Sequence, residues 1–165
     1  MRSNYINPAT MERLLAKMTL QNALALRVSL ETGLRIDDTL KLKTSDLKRS
    51  TGFYVREMKT GKRKYVKLPK TLKNVLRDVS GTEYVFPSRS RNDKHRVRQT
   101  VWRDLKRACR ALDIDEKGIS PHTLRKMYAV SLYEDTGCLL AVQKYLNHKF
   151  QSTTIAYALS DKLKA

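Results

Sequence analysis

Five side chains in this sequence are of types that can act on an anionic group: two arginines, two histidines and a tyrosine, namely Arg35, His122, Arg125, His148 and Tyr157. A planar guanidinium holds two oxygen atoms at once and stays protonated at any relevant pH, so it suits a phosphate on which negative charge builds. His122 lies three residues before Arg125, so on a helix both side chains project from one face. A neutral imidazole can accept a proton or donate a hydrogen bond to the same phosphate.

The short motifs around these residues resemble those of one known family. They read Thr-Gly-Leu-Arg at 32–35, His-Thr-Leu-Arg at 122–125 and Leu-Asn-His at 146–148, the last ending nine residues before Tyr157. In order and spacing they are similar to the motifs of the tyrosine recombinases, which cut and rejoin DNA by attacking a phosphodiester with a tyrosine. Asn147 stands where that family usually has glycine. Asparagine also tolerates a left-handed backbone, so we expect the turn to survive.

The resemblance implies a role for each of the five residues. Arg35 and Arg125 would clamp the scissile phosphate. Tyr157 would attack phosphorus and store the bond as a 3′-phosphotyrosyl intermediate, so no cofactor is needed. His122 would accept the tyrosine proton or support the group that does, and His148 would complete the site.

A lysine in the turn of a β-hairpin supplies the remaining proton in similar recombinases, because expelling an alkoxide from phosphorus is slow without a proton donor. Met-Lys-Thr-Gly at 58–61 resembles that turn. Lys59 is therefore the expected general acid. Lys62 stays a second candidate, because turn lengths vary and the hairpin offers several lysines.

Acidic residues near Arg35 have two interpretations. Family members usually carry a carboxylate three residues after the first arginine; Asp38 occupies that place and would orient Arg35. The alternative for Asp37 and Asp38 is to cap a helix N-terminus. The acidic group at 113–116 is typical of a solvated turn, and the three histidines lack ligand spacing, so we expect no metal.

Charge points to a polyanionic partner. The 165 residues contain 34 Lys and Arg against 16 Asp and Glu, a formal net charge of +18. Charge alone leaves open an anionic membrane or a ribosomal partner, but the motifs favour double-stranded DNA. We expect basic side chains of the hairpin and of a following helix to contact DNA: Lys62, Arg63, Lys64, Arg98, Arg103, Lys106 and Arg107.

The pattern of apolar residues predicts an α+β fold that is mainly helical, with one small antiparallel β-hairpin. The first helical region is predicted to begin at Met11, with Thr10 as its N-cap. An apolar stripe that includes Leu20 continues it, and the stripe ends at Gly33. The hairpin is expected at 52–68, and a loop with a short strand at 84–86 follows. Further helices are predicted at these positions: around 72–76, 97–112, from Pro121 to Gly137, and 139–145.

The sequence also predicts the domain organisation and the cellular compartment. We expect residues 1–19 to be an arm or linker remnant and 20–165 to be a catalytic domain, cut from a longer integrase that assembles as a tetramer on DNA; alone it should be monomeric. No signal peptide or membrane-spanning run is found, which indicates a cytoplasmic protein of bacterial or phage origin. Cys109 and Cys138 are expected to be free, buried thiols.

Two other functions compete with recombination. A type IB topoisomerase would use nearly the same residues to relax DNA without exchanging strands. A non-catalytic DNA-binding module would explain the charge but would leave the ordered arginine, histidine and tyrosine motifs as coincidence.

Overall fold

The computed structural model describes residues 4–49, 51–91 and 93–147. The described chain is mainly α-helical with one two-stranded antiparallel sheet, which confirms the predicted fold class. Its α-helices are α1 Pro8–Lys17, α2 Leu20–Thr32, α3 Ile36–Leu40, α4 Lys70–Val79, α5 Arg98–Ala111, α6 Pro121–Thr136 and α7 Leu139–Tyr145, and its strands are β1 Phe53–Arg56 and β2 Arg63–Val66. A short 3-10 helix, Thr44–Lys48, lies between α3 and β1.

The hairpin is found where the sequence predicted it. Phe53 pairs with Val66 and Arg56 with Arg63, and residues 57–62 form the connection. Gly61 adopts φ +66° in that connection, a left-handed conformation that glycine takes without strain. Its N–H donates to the carbonyl of Glu57 at 2.8 Å, so the turn has a defined shape.

Helix α2 delivers the first arginine motif to the centre of the molecule. It ends at Gly33, whose φ of +64° is the left-handed C-cap expected from the sequence. A Cβ at this position would lie 2.4 Å from Cδ1 of Tyr128, so the close contact between α2 and α6 also requires glycine. Arg35 therefore leaves the helix end in a fixed direction, at the start of α3.

The first helix begins earlier than predicted, at Pro8 and not at Met11. Asn7, rather than Thr10, caps the first helix, accepting a hydrogen bond from the N–H of Ala9 at 2.8 Å, and Pro8 supplies the first turn. The chain then breaks at Met18 and Thr19 before α2 begins. Leu20 is 58% exposed because it starts the second helix and does not continue the buried stripe. Residues of α1 such as Met11 and Leu14 are fully buried in the core that contains α5.

The segment before α5 is held by isolated bridges and not by the short strand predicted at 84–86. Tyr84 pairs with Lys43, and Pro87 pairs with His95. Val85 and Phe86 are fully buried, which explains their apolar signal without a strand. These bridges fix the position of the segment that leads into α5.

The two thiols have different environments. Cys109 on α5 is buried, as predicted, and burial raises the pKa of its thiol. Cys138 is exposed, contrary to the prediction, because it occupies the N-cap of α7 outside the packed face of that helix. None of the described helices has the length and apolarity that crossing a bilayer requires.

Candidate active site

A buried cluster of charged side chains lies where α2, α6 and the hairpin meet. It contains two guanidiniums, one ammonium and two carboxylates, drawn from four separate segments: Arg35, Asp38, Glu57, Lys64 and Arg125. Each except Arg35 is at most 8% exposed, and the Arg35 side chain is 16% exposed. With Lys64 protonated, three cations face two anions, which leaves one positive charge in excess.

Arg125 joins the first and last motifs. Its Nη1 donates to the carbonyl oxygen of Gly33 at 2.6 Å, and its Nη2 donates to the carbonyl oxygen of Leu146 at 2.6 Å. Gly33 belongs to the Thr-Gly-Leu-Arg turn, and Leu146 precedes the Asn-His pair. The guanidinium therefore fixes two backbone turns that are far apart in sequence, in addition to any contact with substrate.

Glu57 is the residue that the sequence reading missed. Its side chain is fully buried, with Oε2 3.1 Å from Nη1 of Arg35 and Oε1 3.5 Å from Nη1 of Arg125. Burial alone would raise the pKa of this carboxyl, but the Thr60 hydroxyl at 2.9 Å and the two arginines hold it below its ordinary value. Glu57 is therefore an ionised bridge between both arginines and the hairpin turn.

Asn147 contacts this bridge through the side chain that glycine would lack. Its backbone has φ +53°, so the left-handed turn predicted for asparagine is confirmed. Its Nδ2 donates to Oε2 of Glu57 at 3.2 Å. The departure from the usual glycine thus adds a direct link between the histidine motif and the hairpin.

Asp38 holds the hairpin more directly than it holds Arg35. Its Oδ1 accepts a hydrogen bond from the N–H of Met58 at 2.9 Å, and its Oδ2 has no hydrogen-bond partner among the described residues. Burial raises the pKa of this carboxyl, as does the neighbouring Glu57, whereas Arg35 acts on it only through its charge. Asp38 therefore places the residue that precedes Lys59.

Lys64 was expected at the DNA-facing surface, but it lies inside the cluster. Strand β2 alternates, so Arg63 and Tyr65 are exposed while Lys64 and Val66 face the core. The Nζ of Lys64 donates to the carbonyl oxygen of Thr32 at 2.6 Å and lies 5.3 Å from the ring centroid of Tyr128. Burial, reinforced by repulsion from Arg125, lowers the pKa of Lys64 to about 7.

The lowered pKa of Lys64 predicts how stability depends on pH. Native Lys64 loses its proton near pH 7, whereas an unfolded lysine keeps it to about 10.4, so unfolding takes up a proton in this window. The free energy of unfolding of the wild type, minus that of Lys64→Met, should therefore rise with pH between about 7 and 10, by at most ~1.4 kcal/mol per pH unit. Urea unfolding of both proteins from pH 6 to 9.5 measures this difference. Parallel curves would show that Lys64 is not buried as described.

His122 has an environment suited to a base. It lies on the exposed side of α6, one turn before Arg125. Partial burial lowers the pKa of its imidazole, and the charges of Arg125, Arg35 and Arg98 lower it further. The ring is therefore mostly neutral at pH 7 and able to accept a proton.

Lys59 and Lys62 are both exposed in the hairpin connection. The framework around Lys59 is fixed, because Met58 is bound to Asp38 and Thr60 to Glu57. Lys62 begins the return towards β2, and its carbonyl accepts from the N–H of Glu57 at 2.9 Å. Lys59 thus lies between two residues tied to the charged cluster, which favours it over Lys62.

The remaining basic residues divide between surface and interior. Lys62, Arg63, Arg98, Arg103 and Arg107 are exposed, as a DNA-contacting role requires. Lys106, expected with them, is 8% exposed, and its Nζ donates to the carbonyl oxygen of Glu116. Its ammonium also lies 5.6 Å from the ring centroid of Trp102. Lys106 therefore connects α5 to the following loop.

Two predicted catalytic residues, His148 and Tyr157, lie outside the described residues. Leu146 and Asn147, which immediately precede His148, contact Arg125 and Glu57 respectively. Among residues 4–49, 51–91 and 93–147, no group of three or more His, Cys, Asp or Glu side chains could hold a metal ion.

Comparison with known proteins decides the family. The model of the phage integrase family matches residues 4–164. The chain belongs to this family. Its members with similar sequences include the tyrosine recombinase XerD of Listeria innocua, 32% identical over 180 residues that cover 96% of this chain and 59% of the relative. The probable integrase/recombinase YoeC of Bacillus subtilis is 31% identical over 133 residues, covering 78% of this chain and 71% of YoeC.

Solved structures of integrases share the fold. A lambda integrase dimer bound to a COC′ core site superposes with a TM-score of 0.79 at 23% identity, over 95% of this chain and 48% of that one. The catalytic domain of bacteriophage HP1 integrase gives a TM-score of 0.71 at 20% identity and covers 99% of this chain and 95% of that domain. This chain therefore covers nearly all of the solved HP1 domain and spans about six tenths of the XerD length.

Proposed function

We propose that this chain is the catalytic domain of a site-specific tyrosine recombinase that cleaves and rejoins double-stranded DNA through a 3′-phosphotyrosyl intermediate. The observation that carries the proposal is the buried cluster in which two guanidiniums share one carboxylate, Glu57, while Arg35 stays accessible. A phosphodiester carries one negative charge, so at the face where Arg35 is accessible it would pair with the guanidinium charge that Glu57 leaves unbalanced. Membership of the phage integrase family supports the same reaction.

In the proposed reaction the Tyr157 hydroxyl oxygen attacks phosphorus and the bond from phosphorus to the 5′-oxygen breaks. His122 or His148 takes the tyrosine proton, and Lys59 gives a proton to the departing oxygen. Arg35 and Arg125 stabilise the charge that builds on the nonbridging oxygens. A 5′-hydroxyl from another strand then attacks the phosphotyrosine and releases Tyr157, so no outside energy source is consumed.

We infer different roles for Arg35 and Arg125 in this reaction. Arg125 is 2% exposed and already donates to two backbone carbonyls, whereas Arg35 is the more accessible guanidinium. Arg35 is therefore the principal phosphate contact, and Arg125 both fixes the site and adds positive charge to it. Glu57 and Asn147 position these groups and do not touch the reacting atoms.

We further propose that the complete protein acts as a tetramer on DNA in the cytoplasm of a bacterium or phage-infected cell, and that this domain alone is a monomer. The structures of related integrases include a lambda integrase tetramer bound to a Holliday junction. The exposed hairpin and α5 arginines would hold phosphates of the duplex, largely without regard to base sequence.

The role of Lys59 provides a direct test of the reaction. Lys59→Ala should cleave an ordinary nicked duplex at least about 100-fold more slowly than wild type, because the 5′-oxygen leaves unprotonated. The same variant should recover most of its rate on a duplex with sulfur at the 5′-bridging position, since a thiolate leaves without a proton. Single-turnover rates on both substrates measure the rescue.

Lys62→Ala is the matched control and should cleave the ordinary duplex at close to the wild-type rate. If the sulfur rescue occurs with Lys62→Ala and not with Lys59→Ala, the general acid is assigned to the wrong lysine. If the wild type cleaves neither substrate, the chain is a DNA-binding module. Efficient relaxation of supercoiled DNA by the full-length protein with no strand exchange would favour a topoisomerase.

A further inference from the structure

A second concentration of arginines lies in a pocket away from the catalytic cluster. The pocket is formed by the junction of α1 and α2 at 19–22, by the segment before α5, and by one face of α5. Four arginines line it together with one carboxylate: Arg89, Arg96, Arg103, Arg107 and Asp104. None of these belongs to the cluster of Arg35, Glu57 and Arg125.

The helical period separates this pocket from the catalytic face of α5. Arg98 lies 3.6 Å from Asp37, and its charge reaches His122 on the catalytic side. At about 100° per residue, Arg103 and Arg107 project roughly 140° and 180° around the helix from Arg98. Arg98 therefore points to the catalytic side of α5, whereas Arg103 and Arg107 point to the pocket.

The single carboxylate in the pocket is already engaged. Oδ2 of Asp104 accepts from the Thr19 N–H at 2.9 Å, the Thr19 hydroxyl at 2.8 Å and the Asn22 amide at 2.7 Å, and Oδ1 accepts from Arg107 at 2.5 Å. Burial would raise the pKa of Asp104, but the bonds from Asn22 and Thr19 hold it below its usual value. Its one negative charge leaves three of the four arginine charges in excess.

Arg96 is the unusual member of the group. It is 8% exposed, and its Nε has no hydrogen-bond partner among the described residues. Burial lowers the pKa of its guanidinium, and repulsion from Arg89 lowers it further. Its backbone is fixed, because its N–H donates to the carbonyl of Phe86 at 2.7 Å. The charge of Asp104 partly offsets the lowering of this pKa. A buried guanidinium nitrogen is rarely left without an acceptor in a folded protein, because desolvating an unsatisfied donor is costly.

We propose that this pocket is a second, non-catalytic phosphate-binding site in which Arg96 is the central contact. A tetrahedral phosphate in the pocket would accept from the Arg96 guanidinium and offset its repulsion from Arg89. The phosphate belongs either to the backbone of bound DNA or to a free phosphorylated molecule. Both sources present the same oxygens to the pocket, so a single set of variants tests the site.

Pyrophosphate binding, measured by calorimetry at constant ionic strength, tests the site. Arg96→Leu should weaken this binding at least about tenfold, since it removes a charged donor and leaves a side chain that tolerates burial. Arg110→Leu removes the same charge from an exposed position on α5 outside the pocket, and should change the affinity less than about twofold. Arg35→Ala should leave pyrophosphate binding at the pocket intact, which distinguishes the pocket from the catalytic cluster.

Duplex DNA distinguishes the two sources. If a DNA backbone phosphate occupies the pocket, Arg96→Leu also weakens DNA binding and lowers the slope of log affinity against log salt by about one. If a free phosphorylated molecule is the ligand, Arg96→Leu leaves DNA affinity unchanged and still loses pyrophosphate. Equal pyrophosphate affinity in wild type and Arg96→Leu would overturn the proposal. Should Arg96→Leu fail to fold, Arg96→Lys keeps the charge without the guanidinium geometry and should lose several-fold in affinity; an unchanged affinity would again overturn it.

Discussion

Replacing Arg35 by alanine should slow DNA cleavage by about 100- to 1,000-fold while changing DNA affinity by less than about tenfold. The reason is that the accessible guanidinium acts most strongly when negative charge builds on the phosphate, and many other basic residues contribute to ground-state binding. Single-turnover cleavage and fluorescence anisotropy on one nicked duplex measure the two quantities. Arg63→Ala, which removes an exposed charge from the hairpin, is the matched control and should alter binding and cleavage in proportion.

An equal loss of affinity and of cleavage in Arg35→Ala would make Arg35 an ordinary backbone contact. Arg125→Ala is a less clear test of catalysis, because Arg125 also holds the carbonyls of Gly33 and Leu146. Its loss should lower both activity and stability. Comparison of the two variants therefore separates phosphate stabilisation from construction of the site.

Replacing Glu57 by glutamine should destabilise the domain by about 3–5 kcal/mol, because it leaves the buried Arg125 and the partly exposed Arg35 without their shared carboxylate. The change preserves the shape of the side chain and its capacity to accept from Thr60 and Asn147, so the expected loss reflects charge. Urea unfolding at pH 7 measures the difference. A loss of this size is a large fraction of the stability of a typical domain.

Asn147→Gly is the matched comparison for Glu57→Gln. It removes the 3.2 Å bond to Glu57 but relieves a residue at φ +53°, so its net effect should stay within about 1 kcal/mol. The double variant should lose less than the sum of the two single losses, because Asn147 bonds more weakly to a neutral glutamine than to a carboxylate, so its removal costs less in that background. Equal stability of wild type and Glu57→Gln would mean that the buried ion pairs do not form.

Much of the fold followed from local patterns in the sequence. Gly33 and Gly137 end helices where the apolar periodicity stops, and Ser120 with Pro121 begins α6 as predicted. The hairpin was visible because two short apolar segments flank a glycine-containing turn. These signals depend on residues close together in the chain, so no tertiary information was needed.

Residues whose roles depend on packing were placed less well. Lys64 was grouped with the surface lysines, although its position two residues before the buried Val66 puts both on one face of β2. Glu57 is the only acidic residue between 52 and 68, and that isolation among basic residues was a usable signal. Its contact with Asn147 joins residues 90 apart, which no local pattern reveals.

The central claim is that Tyr157 forms a covalent bond to DNA, and trapping that bond tests it most directly. A nicked suicide duplex that releases its 5′-hydroxyl fragment after cleavage should accumulate a protein–DNA adduct on a denaturing gel. After nuclease and protease digestion, mass spectrometry should find the nucleotide on the peptide that contains Tyr157. Tyr157→Phe should bind the duplex with unchanged affinity and give no adduct, because the ring remains but the attacking oxygen is absent. An adduct of wild-type yield in Tyr157→Phe, or a nucleotide attached to any other residue, would contradict the account.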